Sequence, residues 1–365
     1  MTLVDAIIML LAAAGTSALA TPMASRLAHL FDVVDRPNGR KVNTRADIPL
    51  LGGLAVAFGA VMGLAAASLV LGEETLAPQR LEGILIGGTL LLVLGAVDDR
   101  HGLGAWTKLA VQILAAVVAV QYGFEIPHLT EPLTRTTLQI PGWASWLITI
   151  VWIVGVTNAV NLIDGLDGLA SGLGAIIAGT LVVICWQAGQ MVGVVYGIAL
   201  FGALLGFLPF NFPPARIFLG DTGALFIGFS LSLLAIEGAR QPAILTFVVP
   251  LLALAVPLLD TALSIVRRLR EGRPVFSADR AHMHHRLLEF EGSDRQAVLS
   301  LYFLTICFCV IAVSFTRLQG YAAIVFLCAV AVLTLRLLRN LEVLNSDTFE
   351  NGPSESIQGN EVEEP

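Results

Sequence analysis

Acidic residues stand side by side or at regular spacing where several apolar segments of the sequence end. Asp98 and Asp99 close one such segment. Two adjacent residues at a helix end cannot share one face, so we expect their carboxylates to point in different directions. One would hold Mg²⁺ or a basic group while the other contacts a reacting phosphate, because Mg²⁺ prefers a few oxygen ligands together with phosphate oxygens. The alternative interpretation is solvation of the helix end, with Arg100 as the ionic partner.

The most specific pattern is TNAVNLIDGLDGLASGL, residues 157–173, in which four polar residues are three positions apart within an apolar region. Asn158 and Asn161 fall on one face of a helix, and Asp164 and Asp167 continue the spacing. Helix capping and small-residue packing account for the glycines of the segment. They do not account for the four polar residues, so the segment is interpreted as part of a functional site.

A third motif is NFPPARIFLGDTGALFIG, residues 211–228. Pro213 and Pro214 stop one helix, and the glycines around Asp221 open the next. Asp221 is interpreted either as a helix N-cap or as a residue that holds a metal at the membrane surface, and the two roles are compatible. Phe218, just upstream, either stacks on a nucleobase or packs against lipid or protein.

The loop 267–295 is the largest basic connection and contains SADRAHMHHRL, with three histidines. His282, His284 and His285 would suffice for three ligands of a zinc ion, but no cysteine or fourth ligand lies nearby. Imidazole and guanidinium groups both donate hydrogen bonds to phosphate oxygens. We therefore favour binding of a phosphate by the histidines with Arg280. Pairing with anionic lipid is the alternative for the other arginines of the loop.

The composition identifies the environment of these motifs. Of the 365 residues, 56% are hydrophobic and 13% are charged, against roughly a quarter charged in soluble domains. This excludes a soluble domain, and the lack of a strongly basic balance excludes a nucleic-acid binder. Continuous rather than alternating apolar runs exclude a strand barrel. We expect an all-α integral membrane protein whose eleven transmembrane helices lie near 4–24, 50–71, 81–97, 106–121, 144–162, 167–187, 190–209, 222–239, 241–266, 296–315 and 319–338.

Basic residues are distributed unequally between the loops. Alternate loops carry 17 Lys and Arg residues against 4 in the other set. Cytoplasmic loops hold the excess, so the N-terminus is predicted to lie outside and the C-terminus in the cytoplasm. The acidic motifs then all lie at the cytoplasmic ends of helices. This predicts one polar bowl on the cytoplasmic face of the cell inner membrane, open to cytosolic substrate and to lipid.

The remaining segments complete the predicted organisation. Residues 1–343 are expected to form one polytopic membrane domain, and 344–365 an acidic, disordered cytoplasmic tail. Removing the seven acidic residues after Arg339 leaves a neutral body with 21 acidic and 21 basic residues. The outer loop 122–143 has partly alternating apolar residues, which predict a small hairpin lying on the membrane.

Taken together, these segments resemble the polyprenyl-phosphate N-acetylhexosamine-1-phosphate transferases of the glycosyltransferase 4 type, and among them especially the bacterial undecaprenyl-phosphate N-acetylglucosaminyl-1-phosphate transferases. The predicted number of spans is also that of the family. One departure is Asn43, where many members carry His. The matching stretches occur in family order and cover most of the chain: VDRPNGRKVNTRADIPLLGGLAV (34–56), GAVDDRHGLGAWTKLAVQ (95–112), TNAVNLIDGLDGLASGL, FLGDTGALFIG and PVFSADRAHMHHRLL (274–288).

The resemblance implies a Mg²⁺-dependent phosphoglycosyltransferase. A lipid phosphate attacks the sugar-bearing phosphorus of a UDP-N-acetylhexosamine, UMP leaves, and a lipid-diphosphate-sugar remains in the membrane. The expected substrates are UDP-GlcNAc and undecaprenyl phosphate, and the product would begin a cell-envelope polysaccharide of the O-antigen, enterobacterial common antigen or teichoic-acid type. Positioning and charge neutralisation supply most of the catalysis in such transfers, and Mg²⁺, or Mn²⁺ in its place, neutralises the diphosphate. Homodimers occur in this family.

The family pattern also assigns roles to residues of this chain. Asp221 and Asn161 would ligate Mg²⁺. Asp98 would orient or deprotonate the lipid phosphate, Asp99 would support the metal region, and Lys108 would neutralise phosphate. The catalytic residues implied by the resemblance are Asp98, Asp99, Lys108, Asp164 and Asp167. The substrate-binding residues that it implies are Lys41, Asn158, Phe218, Arg280, His282, His284 and His285.

Three alternatives remain open from the sequence. Another donor, such as UDP-MurNAc-pentapeptide, would undergo the same chemistry, and the loop 267–295 does not reveal the sugar. A two-step route through a phosphorylated Asp98 competes with direct attack. We favour direct attack because the acceptor phosphate, with a second pKa of about 6, is already largely dianionic at neutral pH. A secondary transporter or lipid carrier would show inverted repeats and charges at mid-depth, and the sequence shows neither.

Overall fold

The computed structural model describes residues 1–36, 47–72, 77–126, 128–130, 137–239, 248–270, 272, 283–316, 325–326, 328–330, 332–334 and 336, without the side chains of 129–130, 137–138, 284–285 and 289–290. Within these ranges the helices are α1 (Leu3–Leu30), α2 (Gly52–Leu71), α3 (Pro78–His101), α4 (Ala105–Gln121), α5 (Gly142–Ile163), α6 (Leu169–Gln187), α7 (Met191–Asn211), α8 (Gly220–Gly238), α9 (Val248–Ala253), α10 (Ala255–Arg270), α11 (Met283–Glu291) and α12 (Asp294–Phe315). The strands in the same ranges are β1 (Val34–Asp35), β2 (Ile48–Pro49), β3 (His128–Thr130) and β4 (Thr137–Gln139).

Most of these helices have the length and composition of membrane spans. In the described part of the chain, eight qualify: α1, α2, α3, α5, α6, α7, α8 and α12. The helix α4 is apolar but shorter. The protein is therefore a helical integral membrane protein, as the sequence predicted, whereas the count of eleven spans and their orientation stay predictions. The tail 344–365 and most of the span predicted at 319–338 lie outside the described residues.

The helix α8 lies at the centre of the bundle. Its apolar window is 94% buried, and α2, α3, α5, α6 and α7 pack around it. The polar groups that it carries into this core have partners, as buried polar groups generally do. The Tyr196 hydroxyl donates to Ser230 Oγ at 2.6 Å, and Trp152 Nε1 donates to the Ser232 carbonyl at 3.1 Å. The rest of α8 is therefore firmly packed, which fixes the position of its first residues.

The segment predicted as the ninth span, 241–266, is divided into two helices in its described part. The helix α9 ends at Ala253 and α10 begins two residues later. Pro257 has no N–H to bond the Ala253 carbonyl four residues earlier, so the helical ladder is interrupted there. Cys309 of α12 donates its thiol to this carbonyl at 3.9 Å. The described part of the ninth predicted span therefore consists of two helices, α9 and α10, and its crossing of the membrane stays a prediction.

Two short antiparallel strand pairs connect helices. The pairing of β3 with β4 confirms the hairpin predicted within 122–143. The pairing of β1 with β2, which aligns Val34 with Pro49, was not predicted. Strand β2 leads into α2, and the Pro49 carbonyl accepts a hydrogen bond from the Phe218 amide at 2.8 Å. This corner therefore holds the loop before α8 against the start of α2.

Candidate active site

Side chains from the ends of four helices form one hydrogen-bonded group, here called the carboxylate–lysine cluster: Asp98 of α3, Lys108 of α4, Asn161 of α5 and Asp221 of α8. Lys108 Nζ lies 2.5 Å from Asp98 Oδ2 and 2.8 Å from Asp221 Oδ2. Asn161 Nδ2 donates to Asp221 Oδ1 at 3.0 Å. Lys108 and Asp221 are 113 positions apart in the chain. The convergence predicted for Asp98, Asn161 and Asp221 is therefore present in the structure.

Asp98 also shapes the turn that delivers Lys108. The C-cap of α3 is Gly102, whose φ is 66° and whose amide bonds the Asp98 carbonyl at 2.8 Å. The Leu103 amide donates to Asp98 Oδ1 at 2.6 Å. A glycine adopts this left-handed cap without a steric penalty, so a short turn suffices and Lys108 falls in the first turn of α4. Asp98 thus stabilises the turn through Oδ1 and binds the Lys108 ammonium through Oδ2.

Asp99 points away from its neighbour and caps a different helix. Its Oδ1 accepts from the Asp221 amide at 2.8 Å, and its Oδ2 accepts from the amide and hydroxyl of Thr222 at 3.0 and 2.6 Å. These first-turn amides have no partner within α8, and the helix dipole also favours an anion there. The divergence predicted for Asp98 and Asp99 is confirmed. The N-cap interpretation of Asp221 is wrong, because Leu219 occupies that position and Asp99 supplies the capping oxygens.

Gly220 makes this cap sterically possible. Its φ is +71°, a conformation that glycine adopts readily. A Cβ at this position would lie 2.1 Å from the Leu50 carbonyl oxygen and 2.6 Å from Asp99 Oδ2. In α3, a Cβ on Gly95 would lie 2.3 Å from the Thr222 backbone. The two glycines therefore allow α3 and the corner before α2 to approach the start of α8 closely enough for capping.

The helices α3 and α8 are joined again at their other ends. Arg80, near the start of α3, lies 3.0 Å from Glu237 Oε2, near the end of α8. Glu237 is 1% exposed, and a buried carboxylate is costly without such a partner. Charged hydrogen bonds therefore tie the antiparallel pair at both ends. These contacts prevent α3 from sliding along α8 and so fix the position of Asp98 relative to Asp221.

Asp164 directly follows α5 and places a further carboxyl group beside the cluster. Burial raises the pKa of its carboxyl well above the usual range, and the charges of Asp221 and Asp99 raise it further. Asp98, Asp99 and Asp164 thus all lie close enough to Asp221 for their negative charges to repel one another. A bound cation would relieve this repulsion.

Asp167 braces the loop that leads into α8. Its Oδ2 accepts from the Ala215 amide at 2.8 Å. From α7, Asn211 accepts from the Ser171 hydroxyl at 2.6 Å and donates to the Ile217 carbonyl at 3.0 Å. The loop is thus held at two points before it reaches the cluster. These contacts favour a structural contribution of Asp167 to the site.

Asn158 pairs with a residue that the sequence analysis missed. Its Nδ2 donates to Gln112 Oε1 at 2.6 Å, and Gln112 Nε2 donates back to Asn158 Oδ1 at 3.2 Å. Gln112 is 3% exposed and lies four residues after Lys108, on the same face of α4. The sequence signal for Gln112 was a polar residue inside an apolar helix, four positions after Lys108. The pair fastens α4 to α5 one turn from the cluster.

The other predicted substrate-binding residues are described only in part. Phe218 is half-buried, and its carbonyl accepts from the Gly52 amide at 3.1 Å, so its backbone belongs to the corner before α2. Its contact with a nucleobase stays a prediction. The backbone of His284 and His285 lies in the first turn of α11, but their side chains are outside the description. The predicted residues wholly outside the described ranges are Lys41, Arg280 and His282.

The oxygen groups of the cluster fit a magnesium ion that is bound jointly with a substrate. Among the described residues, no group of three His, Cys, Asp or Glu side chains is arranged as an all-protein metal site. Mg²⁺ does not require one, because it is usually held by one or two carboxylates with waters and substrate phosphates. Asp221 and Asn161 supply a carboxylate and a neighbouring amide. The mutual repulsion of the carboxyl groups near Asp221 also suits a divalent cation, which would relieve it.

Comparison with known proteins shows what the chain resembles. Residues 81–239, which contain the whole cluster, match the family described as Glycosyl transferase family 4. The chain is 32% identical over 335 residues to the "Probable undecaprenyl-phosphate N-acetylglucosaminyl 1-phosphate transferase" of Bacillus subtilis, covering 92% of this chain and 91% of the relative. It is 37% identical over 317 residues to a decaprenyl-phosphate N-acetylglucosaminephosphotransferase of Mycobacterium tuberculosis, covering 80% and 78%. It is 32% identical over 288 residues to an undecaprenyl-phosphate alpha-N-acetylglucosaminyl 1-phosphate transferase of Haemophilus influenzae, covering 76% and 78%.

Proposed function

The chain belongs to glycosyl transferase family 4, and on this premise we propose that it transfers N-acetylglucosamine-1-phosphate from UDP-GlcNAc to undecaprenyl phosphate. An oxygen of the lipid phosphate forms a bond to the sugar-bearing phosphorus, and the bond from that phosphorus to the UMP oxygen breaks. UMP leaves, and undecaprenyl-diphosphate-GlcNAc remains in the membrane. The named activities of relatives that match three quarters or more of the chain support this reaction.

The observation that carries the proposal is the contact of Lys108 with both Asp98 and Asp221. In the reaction two anions, a lipid phosphate and a diphosphate, must approach one another. Catalysis of such a transfer depends on positioning and on neutralising charge. An ammonium held between two carboxylates from different helices is a cation fixed in place before the substrates arrive. Lys108 would then bind the phosphate oxygens as they displace its contacts with the carboxylates.

Asp98 is suited to orient the acceptor phosphate. Both of its oxygens already accept a hydrogen bond, one from the Leu103 amide and one from Lys108. A carboxylate held in this way is fixed in direction and shares the ammonium with the incoming phosphate. This supports direct attack by the lipid phosphate over a route in which Asp98 itself becomes phosphorylated.

Asp221 and Asn161 are the residues that would hold Mg²⁺. The ion would neutralise the diphosphate and stabilise the departing UMP. Asp99 holds the Asp221 amide, and Asp167 holds the loop before it, so the position of Asp221 is set by residues on two other parts of the chain. Asn161 accompanies Asp221 at 3.0 Å and would turn its amide oxygen toward the ion.

The excess of Lys and Arg in alternate loops supports a cytoplasmic location of this site in the inner membrane. UDP-sugars are then available from the cytosol, and the phosphate of the acceptor lies at the same depth as the cluster. The product would begin a cell-envelope polysaccharide.

The test is turnover by the full chain, purified in detergent. The protein is mixed with undecaprenyl phosphate, millimolar MgCl₂ and one UDP-sugar at a time, and released UMP is measured together with the lipid product. We expect UMP release with UDP-GlcNAc, at a rate above that with UDP-GalNAc or UDP-MurNAc-pentapeptide. UMP release from another donor but not from UDP-GlcNAc would reject the assigned sugar. The absence of UMP release from every donor would reject the transferase.

A further inference from the structure

A polar stripe runs along α10, outside the carboxylate–lysine cluster. Asp260, Ser264 and Arg268 follow one another at four-residue spacing and therefore share one face of the helix. They are 2%, 1% and 7% exposed, respectively. Their low exposure means that this face of α10 packs against protein, and α5 and α12 are among the neighbours of the helix. Buried polar groups are costly unless they form hydrogen bonds.

The Asp260 carboxylate binds the start of another helix. Its Oδ1 accepts from the Met283 amide at 2.7 Å in a buried hydrogen bond. Met283 is the first residue of α11, so its N–H has no acceptor within that helix, and the helix dipole favours a carboxylate at this end. The Met283 side chain is itself 2% exposed. A hydrogen bond and a buried side chain therefore anchor the same residue.

This anchor lies directly beside two of the predicted substrate-binding residues. His284 and His285 follow Met283 in the first turn of α11. Consecutive Cα atoms are about 3.8 Å apart, so a displacement of Met283 moves the backbone of both histidines. The helix α10, which carries Asp260, also packs against α5, and the end of α5 carries Asn161. One element thus connects the start of α11 with the helix that contributes to the cluster.

We propose that Asp260 is a positioning residue that sets the start of α11, and with it His284 and His285, for binding the diphosphate of the sugar nucleotide. This inference rests on the proposed function and on the prediction from the sequence that the histidines bind phosphate, which is here the diphosphate of the donor. Asp260 does not touch the substrate and acts through the Met283 amide. Loss of this hydrogen bond weakens binding of the donor and leaves binding of the lipid acceptor unchanged.

Three variants test this anchor. Asp260→Ala removes the acceptor. Met283→Pro removes the donor while placing proline at the first helical position, where it is well tolerated, and it also replaces the buried Met283 side chain. Asp260→Ala is expected to raise the KM for UDP-GlcNAc about tenfold, the size expected for loss of one hydrogen bond to a charged group, and Met283→Pro at least as much, with the KM for undecaprenyl phosphate unchanged in both. Asp260→Asn keeps an acceptor oxygen and is expected to restore a near-normal KM. Thr305→Ala is the matched control, because Thr305 is equally buried in the neighbouring α12 and its hydroxyl donates to the Leu301 carbonyl of its own helix.

Two further measurements separate positioning from general destabilisation. In a double-mutant cycle, Asp260→Ala with Met283→Pro is expected to be no worse than the more severe single variant, because both remove the same bond. Hydrogen exchange of the amides in 283–291 is expected to rise in Asp260→Ala while exchange in α3 stays at the wild-type rate. If Asp260→Ala does not fold, the KM and hydrogen-exchange measurements are made on Met283→Pro, and Asp260→Asn takes the place of Asp260→Ala in the cycle.

Three results would overturn the proposal: a wild-type donor KM in Asp260→Ala, multiplied effects in the double variant, or equal losses for both substrates with faster exchange throughout the protein. The exchange measurement needs no turnover. It therefore distinguishes failure of the anchor from failure of the proposed reaction, which would appear as an inactive wild-type protein with normal exchange.

Discussion

Replacement of Asp99 tests whether this residue acts by capping α8. Asp99→Ala removes the acceptor for the amides of Asp221 and Thr222, whereas the Thr222 hydroxyl can turn to another acceptor. Each buried amide left without a partner costs about 1–3 kcal/mol. Because Asp99 is itself only half-buried and water reaches part of the gap, we expect a loss of about 2–4 kcal/mol in the free energy of unfolding. Asp99→Asn keeps one acceptor oxygen and should lose about half as much.

The unfolding of these variants can be followed with the protein's own thiols. Cys185 and Cys309 are 0% and 4% exposed. When the more accessible Cys307 and Cys328 are replaced by serine, a thiol-reactive fluorophore reports separation of the helices during denaturation in detergent. Asp5 offers a matched control, because it completes a capping box with Thr2 at the exposed start of α1. Asp5→Ala should cost at most about 1 kcal/mol and leave UMP release unchanged.

The turnover of the Asp99 variants decides between capping and chemistry. If Asp99 only holds α8, activity should fall in the order of stability, with Asp99→Asn above Asp99→Ala. Wild-type stability in Asp99→Ala would refute the capping argument. Complete loss of turnover in Asp99→Asn, with normal unfolding, would assign Asp99 to the reaction itself.

Three further predictions concern the other carboxylates of the site and the metal ion. Asp98→Asn and Asp221→Ala should each lower UMP release at least ~10²-fold, as loss of preorganised charge at a reacting centre does, with unfolding close to wild type; wild-type rates in both would remove their assigned roles. Asp167→Asn, which retains an acceptor for the Ala215 amide, should keep most of the turnover that Asp167→Ala loses, and equal losses in the two variants would point to a direct role of the charge. Removal of divalent cations with EDTA should stop UMP release and added Mg²⁺ should restore it, whereas turnover that persists in EDTA would reject a magnesium-dependent reaction.

The fold class and the polar end of the bundle could be predicted because they follow from local patterns. Long apolar runs identify helices that cross a membrane, and polar residues that interrupt such runs indicate a functional site. These patterns predicted one place for Asp98, Asn161 and Asp221. In the structure Lys108 joins Asp98 to Asp221, and Asn161 donates to Asp221. The interruption of the ninth span was also readable in principle, because Pro257 removes a helical hydrogen bond four residues after Ala253.

The partners of individual carboxylates could not be predicted, because they are set by tertiary contacts. Asp99 and Thr222 are 123 positions apart, and the approach of their helices depends on the absence of side chains at Gly220 and Gly95. The sequence offered Asp221 as a helix cap because it stands at the correct position beside glycine. A neighbouring helix supplies that cap, which leaves the side chain of Asp221 available to Lys108.

Acidic residues near the membrane in this protein fall into two groups, which the sequence alone does not separate. Asp99, Asp167 and Asp260 each accept from backbone amides of another segment, and such bonds orient loops and helix starts. The described donors to the Asp221 carboxylate are two side chains, those of Lys108 and Asn161. These side chains can turn away when a metal ion or a phosphate binds, and the backbone does not have to move. Asp98 combines both uses in its two oxygens. We therefore expect Asp98 and Asp221, whose oxygens accept from side chains, to take part in phosphoryl transfer. The carboxylates that bind backbone amides hold the surrounding helices and loops in position.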